Sequence, residues 1–127
     1  MTKEEVTKFL QNNSVAYIAT SSNNIPTVRV MQILSIDEKS ILFNTKAFKQ
    51  SYKDLCKNSN IEICFYNHIS YEQIRVYGNA VEIKNDKIRK EIVKNYPQLN
   101  TLVQKEGLEV IKPFEIINWQ YKLTNRH

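Results

Sequence analysis

Hydrophobic positions recur along the chain first at helical spacing and then at strand spacing. Val6, Phe9 and Leu10 follow Thr2-Lys3-Glu4-Glu5, whose T-x-x-E form lets a hydroxyl and a carboxylate satisfy free N–H groups at a helix start. A helix over residues 3–12 is predicted, closed by Asn12-Asn13. Alternating apolar and β-branched positions then predict strands over 15–20 and 26–36, joined by the polar turn Ser21-Ser22-Asn23-Asn24. Asp37-Glu38-Lys39-Ser40 reads as a second turn, leading to a strand over 41–45. After a helix over 47–58, strands follow over 61–67 and 73–83, the latter with Gly78 as a bulge or close backbone approach. Residues 86–104 return to helical spacing, divided by Pro97, and a last strand covers 114–123.

The order is helix, three strands, helix, two strands, helices, strand, with no βαβ alternation to call for a parallel sheet. Six antiparallel strands with flanking helices usually close into a barrel or sandwich. The 127 residues are expected to form one domain, large enough for a core without disulfides or a structural metal.

Composition adds exclusions. A chain that is 42% hydrophobic and 24% charged is an ordinary globular sequence. Cys56 and Cys64 have no CxxC spacing and no histidine at ligand distance, so they read as buried packing residues rather than metal ligands. His68 sits in a turn and His127 is terminal, neither with a metal partner at useful spacing. The first residues lack the apolar run of a signal peptide, and no stretch reaches the roughly 18 apolar residues of a membrane helix. A cytoplasmic protein is expected. No nucleophile–base–orienter arrangement or Ser-centred elbow is present, which argues against a hydrolase.

The net charge of +5 admits an anionic partner. Lys46, Lys49, Lys53 and Lys57 share a short segment with a single acid, Asp54. That segment runs from a strand end at Thr45 into a helix, whose N-terminus attracts phosphate through open N–H groups and the macrodipole. With Phe48, Tyr52, Leu55 and Cys56 as the buried face, Lys49 lies at its border and Lys53 and Lys57 face water. A solvated lysine stripe explains the spacing equally well. On the second strand, Arg29 shares a face with Met31 and Ile33. A guanidinium in an apolar row calls for a phosphate or carboxylate partner, or snorkels to the sheet edge. Tyr17, Tyr66, Tyr77, Trp119 and Tyr121 fill a core or an interface.

Taken in order, V-A-Y-I-A-T, P-x-V-R-x-M, F-x-T-x-x-x-K-x-x-Y-K-x-L, I-E-I-C-F-Y and Q-I-R-V-Y-G-x-A resemble the pyridoxamine 5'-phosphate oxidase-like FMN-binding split-barrel family over nearly the whole chain. The resemblance implies a six-stranded antiparallel split barrel that binds FMN between two identical subunits. It implies that Arg29 and Lys49 bind the FMN phosphate, with Thr45 hydrogen-bonded to it and Lys46 and Gln50 in the same segment. The backbone of Val30, Met31 and Gln32 would line the isoalloxazine ring, and Gln73 would reach the flavin from the neighbouring subunit. True oxidases carry a basic pair where this chain has Lys49-Gln50, and further C-terminal sequence with Arg and His; here the sequence ends Asn125-Arg126-His127. The resemblance is therefore to short members, including flavin reductases and nitroimidazole-reducing proteins, rather than to vitamin B6 oxidases. It implies an oxidoreductase passing electrons from a nicotinamide-type donor through FMN to a small acceptor. A non-catalytic flavin- or haem-binding store or sensor uses the same fold. Nucleic-acid binding is disfavoured, because the lysines do not interleave with aromatics on one strand face.

Overall fold

In the computed structural model, which describes residues 1–123, the expected first helix forms as α1 (Lys3–Asn12), with both hydrogen bonds of the Thr2/Glu5 capping box. Its Val6 and Leu10 are fully buried. Strands β1 (Val15–Ser22) and β2 (Ile25–Gln32) form a hairpin, with Asn23 and Asn24 at positive φ in the turn, a conformation that asparagine tolerates. The run predicted over 26–36 is broken after Gln32. There Ile33 N–H bonds to Ser14 O and Leu34 N–H to Leu42 O, so β3 (Ser35–Ile36) pairs with β4 (Ser40–Lys46) and not with β1. Next come α2 (Gln50–Lys57), β5 (Asn60–Tyr66), β6 (Gln73–Glu82), α3 (Asp86–Asn95) and α4 (Asn100–Glu106). A short 3-10 turn at Pro97–Leu99 separates the last two, where Pro97 was expected to divide them.

The last strand also comes in two pieces, β7 (Ile111–Ile117) and β8 (Gln120–Leu123), around Asn118 at φ 55°. Two broken runs thus make eight strands where the periodicity counts six. The strands form one curled antiparallel sheet in the order β2-β1-β5-β6-β7-β4-β3, with β8 also on β6, a mainly β split barrel with flanking helices. The pivot is β6: Gln73–Asn79 pairs with β5, while Ala80, Val81 and Glu82 pair with β7. Gly78 lies just before this change. A Cβ there would stand 2.7 Å from Ile116 Cγ2, so what crowds this glycine is a side chain, where a bulge or a close backbone approach was expected. Because Ile116 is fully buried, Gly78→Ala is expected to cost about 1–3 kcal/mol, seen as a lower urea midpoint with an unchanged slope.

The main core lies between α1, α2 and the inner sheet face, around Ile18, Phe43, Phe65 and Trp119; a smaller one joins Ile92, Val110 and Ile111 beneath α3 and α4. Among the described residues, no helix is long and apolar enough to cross a membrane.

Candidate functional site

The site is built where Arg29 of β2 reaches Asp54 of α2, a helix that packs on β1 and β4. Helix α2 begins later than the predicted residue 47, because β4 stays paired through Lys46 with Ile111 and Ala47 N–H bonds to Val110 O. The later start leaves Phe48 outside the helix. Its buried residues are Ser51, Asp54 and Leu55, while Phe48 is 57% exposed and Cys56 is exposed. The expected buried face of Phe48, Tyr52, Leu55 and Cys56 is thus corrected for Phe48 and Cys56. Cys64 is half-buried, and burial pushes its thiol pKa up; the packing role expected for both thiols does not hold for Cys56. Lys53 and Lys57 face solvent as expected.

Arg29 turns inward from β2, half-buried, and its partner is a carboxylate. Arg29 Nη1 donates to Thr20 Oγ1 at 2.8 Å and Nη2 to Asp54 Oδ2 at 3.3 Å. Asp54 also accepts from Gln50 Nε2 at 2.9 Å and from Thr20 Oγ1 at 3.3 Å. The Gln50 bond, with Arg29 and Thr20 assisting against the burial penalty, holds the Asp54 carboxyl below its ordinary range. This group therefore contributes stability at neutral pH that is lost as pH falls through the lowered value. The solitary acid of the lysine segment was the visible signal for this network; its burial depended on the helix phase.

Thr45 is buried and shares a hydroxyl–hydroxyl hydrogen bond with Ser51. Lys49 is the N-cap residue of α2 and gives no side-chain cap. It is exposed, with Nζ 5.9 Å from the centre of the Phe48 ring. Lys46 is half-buried; burial, and then the charge of Lys49, lowers its pKa. Two cations thus crowd one helix start, and an anion between them would relieve both.

Val30, Met31 and Gln32 line a cleft of about 300 Å³ together with Asn44, Lys46 and Tyr96. Val30 is exposed, Met31 packs against the core, and Gln32 donates to Ser14 Oγ at 2.9 Å. Asn44, which the sequence reading passed over, places a buried Nδ2 in this region with no hydrogen-bond partner. A buried amide donor without a partner is costly and suits a ligand acceptor. The structure therefore gathers Val30, Met31, Gln32 and Lys46 on one cleft, with Lys49 near Lys46, and links Arg29 to Gln50 through Asp54. It does not bring Gln73 there: Gln73 lies on β6 and accepts a bond from Cys64 Sγ at 3.3 Å.

His68 packs edge-on to Tyr66 at 4.8 Å. No group of three metal-ligating side chains exists among the described residues; His127 lies outside them.

The comparisons with known proteins agree with this fold. Residues 2–120 match the family model described as pyridoxamine 5'-phosphate oxidase. A pyridoxine/pyridoxamine 5'-phosphate oxidase of Psychrobacter cryohalolentis is 33% identical over 66 residues, covering 52% of this chain and 31% of that protein. The match thus spans about a third of the relative's length. Among solved structures, a Listeria innocua protein of the same oxidase description superposes with TM-score 0.79 at 15% identity, covering 97% of this chain and 98% of the other. A NimC/NimA family protein of Clostridium acetobutylicum gives 0.72 at 17% identity, covering 98% and 87%. These structural likenesses concern the fold, whereas the family match covers nearly every residue of the described chain. The chain belongs to the pyridoxamine 5'-phosphate oxidase family.

Proposed function

We propose that this chain is a single-domain FMN-binding flavoprotein, working as a homodimer, that passes electrons from a nicotinamide-type donor to a small acceptor. The observation that carries the reading is the cleft beside Val30–Gln32, which is lined by Lys46, with Lys49 close enough to act on its charge, and by Asn44, whose buried amide has no partner. A phosphate bears close to two negative charges at neutral pH. Arg29, Lys46 and Lys49 less Asp54 leave a local charge of about +2, which balances it. The donor set thus fits a phosphorylated planar group: Arg29, Lys46 and Lys49 take the phosphate, Gln50 holds the Asp54 carboxylate that orients Arg29, and Asn44 is available to a ring acceptor. When bound, FMN supplies the electron-transfer chemistry. The chain's own residues bind it, orient it against β2 and exclude water.

The homodimer is supported by the outward face of β1 and β2, where Val15, Val28 and Val30 are each more than half exposed. Apolar side chains this exposed in adjacent strands suit an interface. Gln73 would act across that interface, on the partner's flavin.

The test is titration of the purified full chain with FMN and with riboflavin, followed by sedimentation. FMN binding far tighter than riboflavin, in a particle of two chains, is the expected result; equal affinity for both ligands would sink the phosphate site. Oxidation of a nicotinamide donor by the loaded protein separates an oxidoreductase from a store or sensor.

A pH dependence follows from Lys46. Its amine, held below the ordinary 10.5 in the free chain, is pulled back up by the phosphate, so binding takes up protons on the alkaline side. FMN affinity is expected to be full below the lowered value and to fall as pH rises through it. Calorimetric titration in two alkaline buffers of different ionisation enthalpy reads the proton uptake directly; identical heats would remove Lys46 from the site.

A further inference from the structure

Beside the cleft of Val30–Gln32 lies a second hollow of about 490 Å³, between the outer face of the β3/β4 end of the sheet and helix α3. Its walls are Leu34, Leu42, Ile88, Ile92 and Tyr96. Leu34 and Tyr96 also line the flavin cleft, so the two spaces meet at these side chains. The hollow is within the size range of small-molecule pockets, about 300–1,000 Å³.

Its chemistry differs from that of the cleft. Ile92 is buried and Leu34, Leu42, Ile88 and Tyr96 are half-buried. The polar lining residues, Ser35, Glu91 and Asn95, are all exposed at the mouth. A charged group carried inside would lose its hydration with no buried partner in return. An apolar ring would exchange water for the five wall side chains. Lys46 and Lys49 stand at the cleft, not here, so the anionic and apolar demands on the site fall in separate spaces.

We propose that this hollow seats the uncharged apolar body of the small molecule that shares the site with the flavin, and that Leu34 and Tyr96 form the wall between them. The proposal rests on the flavin reading for what lies on the far side of that wall. It rests on the hollow alone for the class of compound. The compound is a ring system of naphthalene size without charge on its inserted part.

N-phenyl-1-naphthylamine, a neutral dye that brightens in apolar surroundings, tests this on the full chain. Saturable brightening is expected. Ile88→Trp, which fills the hollow from α3, and Ser35→Trp, which blocks its mouth from an exposed position, should each weaken dye binding about tenfold or more while leaving FMN titration unchanged. Val81→Ser, at an exposed position on β6, should change dye binding little. Added FMN should quench the bound dye, because flavin absorbs where the dye emits. Dye binding that survives both tryptophan variants, or that disappears in Val81→Ser instead, overturns the proposal. If FMN does not bind the wild-type chain but the tryptophan variants still abolish dye binding, the hollow stands as the apolar site and the flavin reading is the one that falls.

Discussion

Arg29→Ala is expected to weaken FMN binding about ten- to hundredfold, the loss of one charge-assisted contact of roughly 1.5–3 kcal/mol, while riboflavin affinity changes little. The same substitution does a second thing. Arg29 and Asp54 pair with side chains 19% and 6% exposed, so removing the arginine strands a carboxylate in the interior. Breaking such a pair from one side costs about 3 kcal/mol, which urea unfolding without FMN would read. The two effects separate in the double variant. Asp54→Asn added to Arg29→Ala removes the stranded charge and should restore most of the stability, but it cannot restore the phosphate contact. Lys57→Ala, at an exposed position, should leave both properties alone. If the double variant recovers FMN affinity along with stability, Arg29 is a structural ion-pair member and not a phosphate ligand.

The largest loss of stability is expected from Trp119→Ala. Trp119 is 1% exposed, donates through Nε1 to Asp37 O at 2.9 Å and lies beneath the Lys3 ammonium, 3.4 Å from the ring centre. Lys3 Nζ also donates to Trp119 O at 3.0 Å. One ring therefore ties α1, the turn after β3 and the link between β7 and β8. Truncation leaves a cavity and an unpaired carbonyl, together about 3–5 kcal/mol, measured by circular dichroism because the chain has only this tryptophan. Lys3→Ala should cost much less, about 1 kcal/mol or below. A Trp119→Ala protein as stable as the wild type would mean that the ring packs against a surface and not in the core.

Strands and helix caps were legible because each is written in neighbouring residues. Thr2 and Glu5 announce α1, and Asn23-Asn24 announces the first hairpin. What alternation could not show is where a continuous apolar run changes partner. Residues 26–36 read as one strand, yet Ile33 and Leu34 bond to different elements, a choice made by tertiary pairing. The helix after β4 was placed correctly in type and wrongly in start, and its buried face was set by packing on β1 and β4 and by the Asp54 network, which apolar spacing alone does not show. Of the two readings open for Arg29, a paired guanidinium or one snorkelling to the sheet edge, the structure shows the first. That the partner is Asp54 depended on that same helix phase, and Asn44 stayed hidden because its lack of a partner is a property of packing. Gln73 remains a proposal, since its expected role belongs to a contact between two chains.

The continuity of β6 has a consequence for motion. Because its first part is held by β5 and β8 and its end by β7, the two halves of the curled sheet share one spine. Opening them like a hinge would break both ladders at once, so the sheet should breathe as a single cooperative unit. The segment from α3 to α4 rests instead on the smaller cluster of Ile92, Val110 and Ile111. Its amides should exchange with solvent sooner than those of β5 and β6. The proposed hollow behind Tyr96 is then expected to open by loosening of this helical flank and not by opening of the sheet.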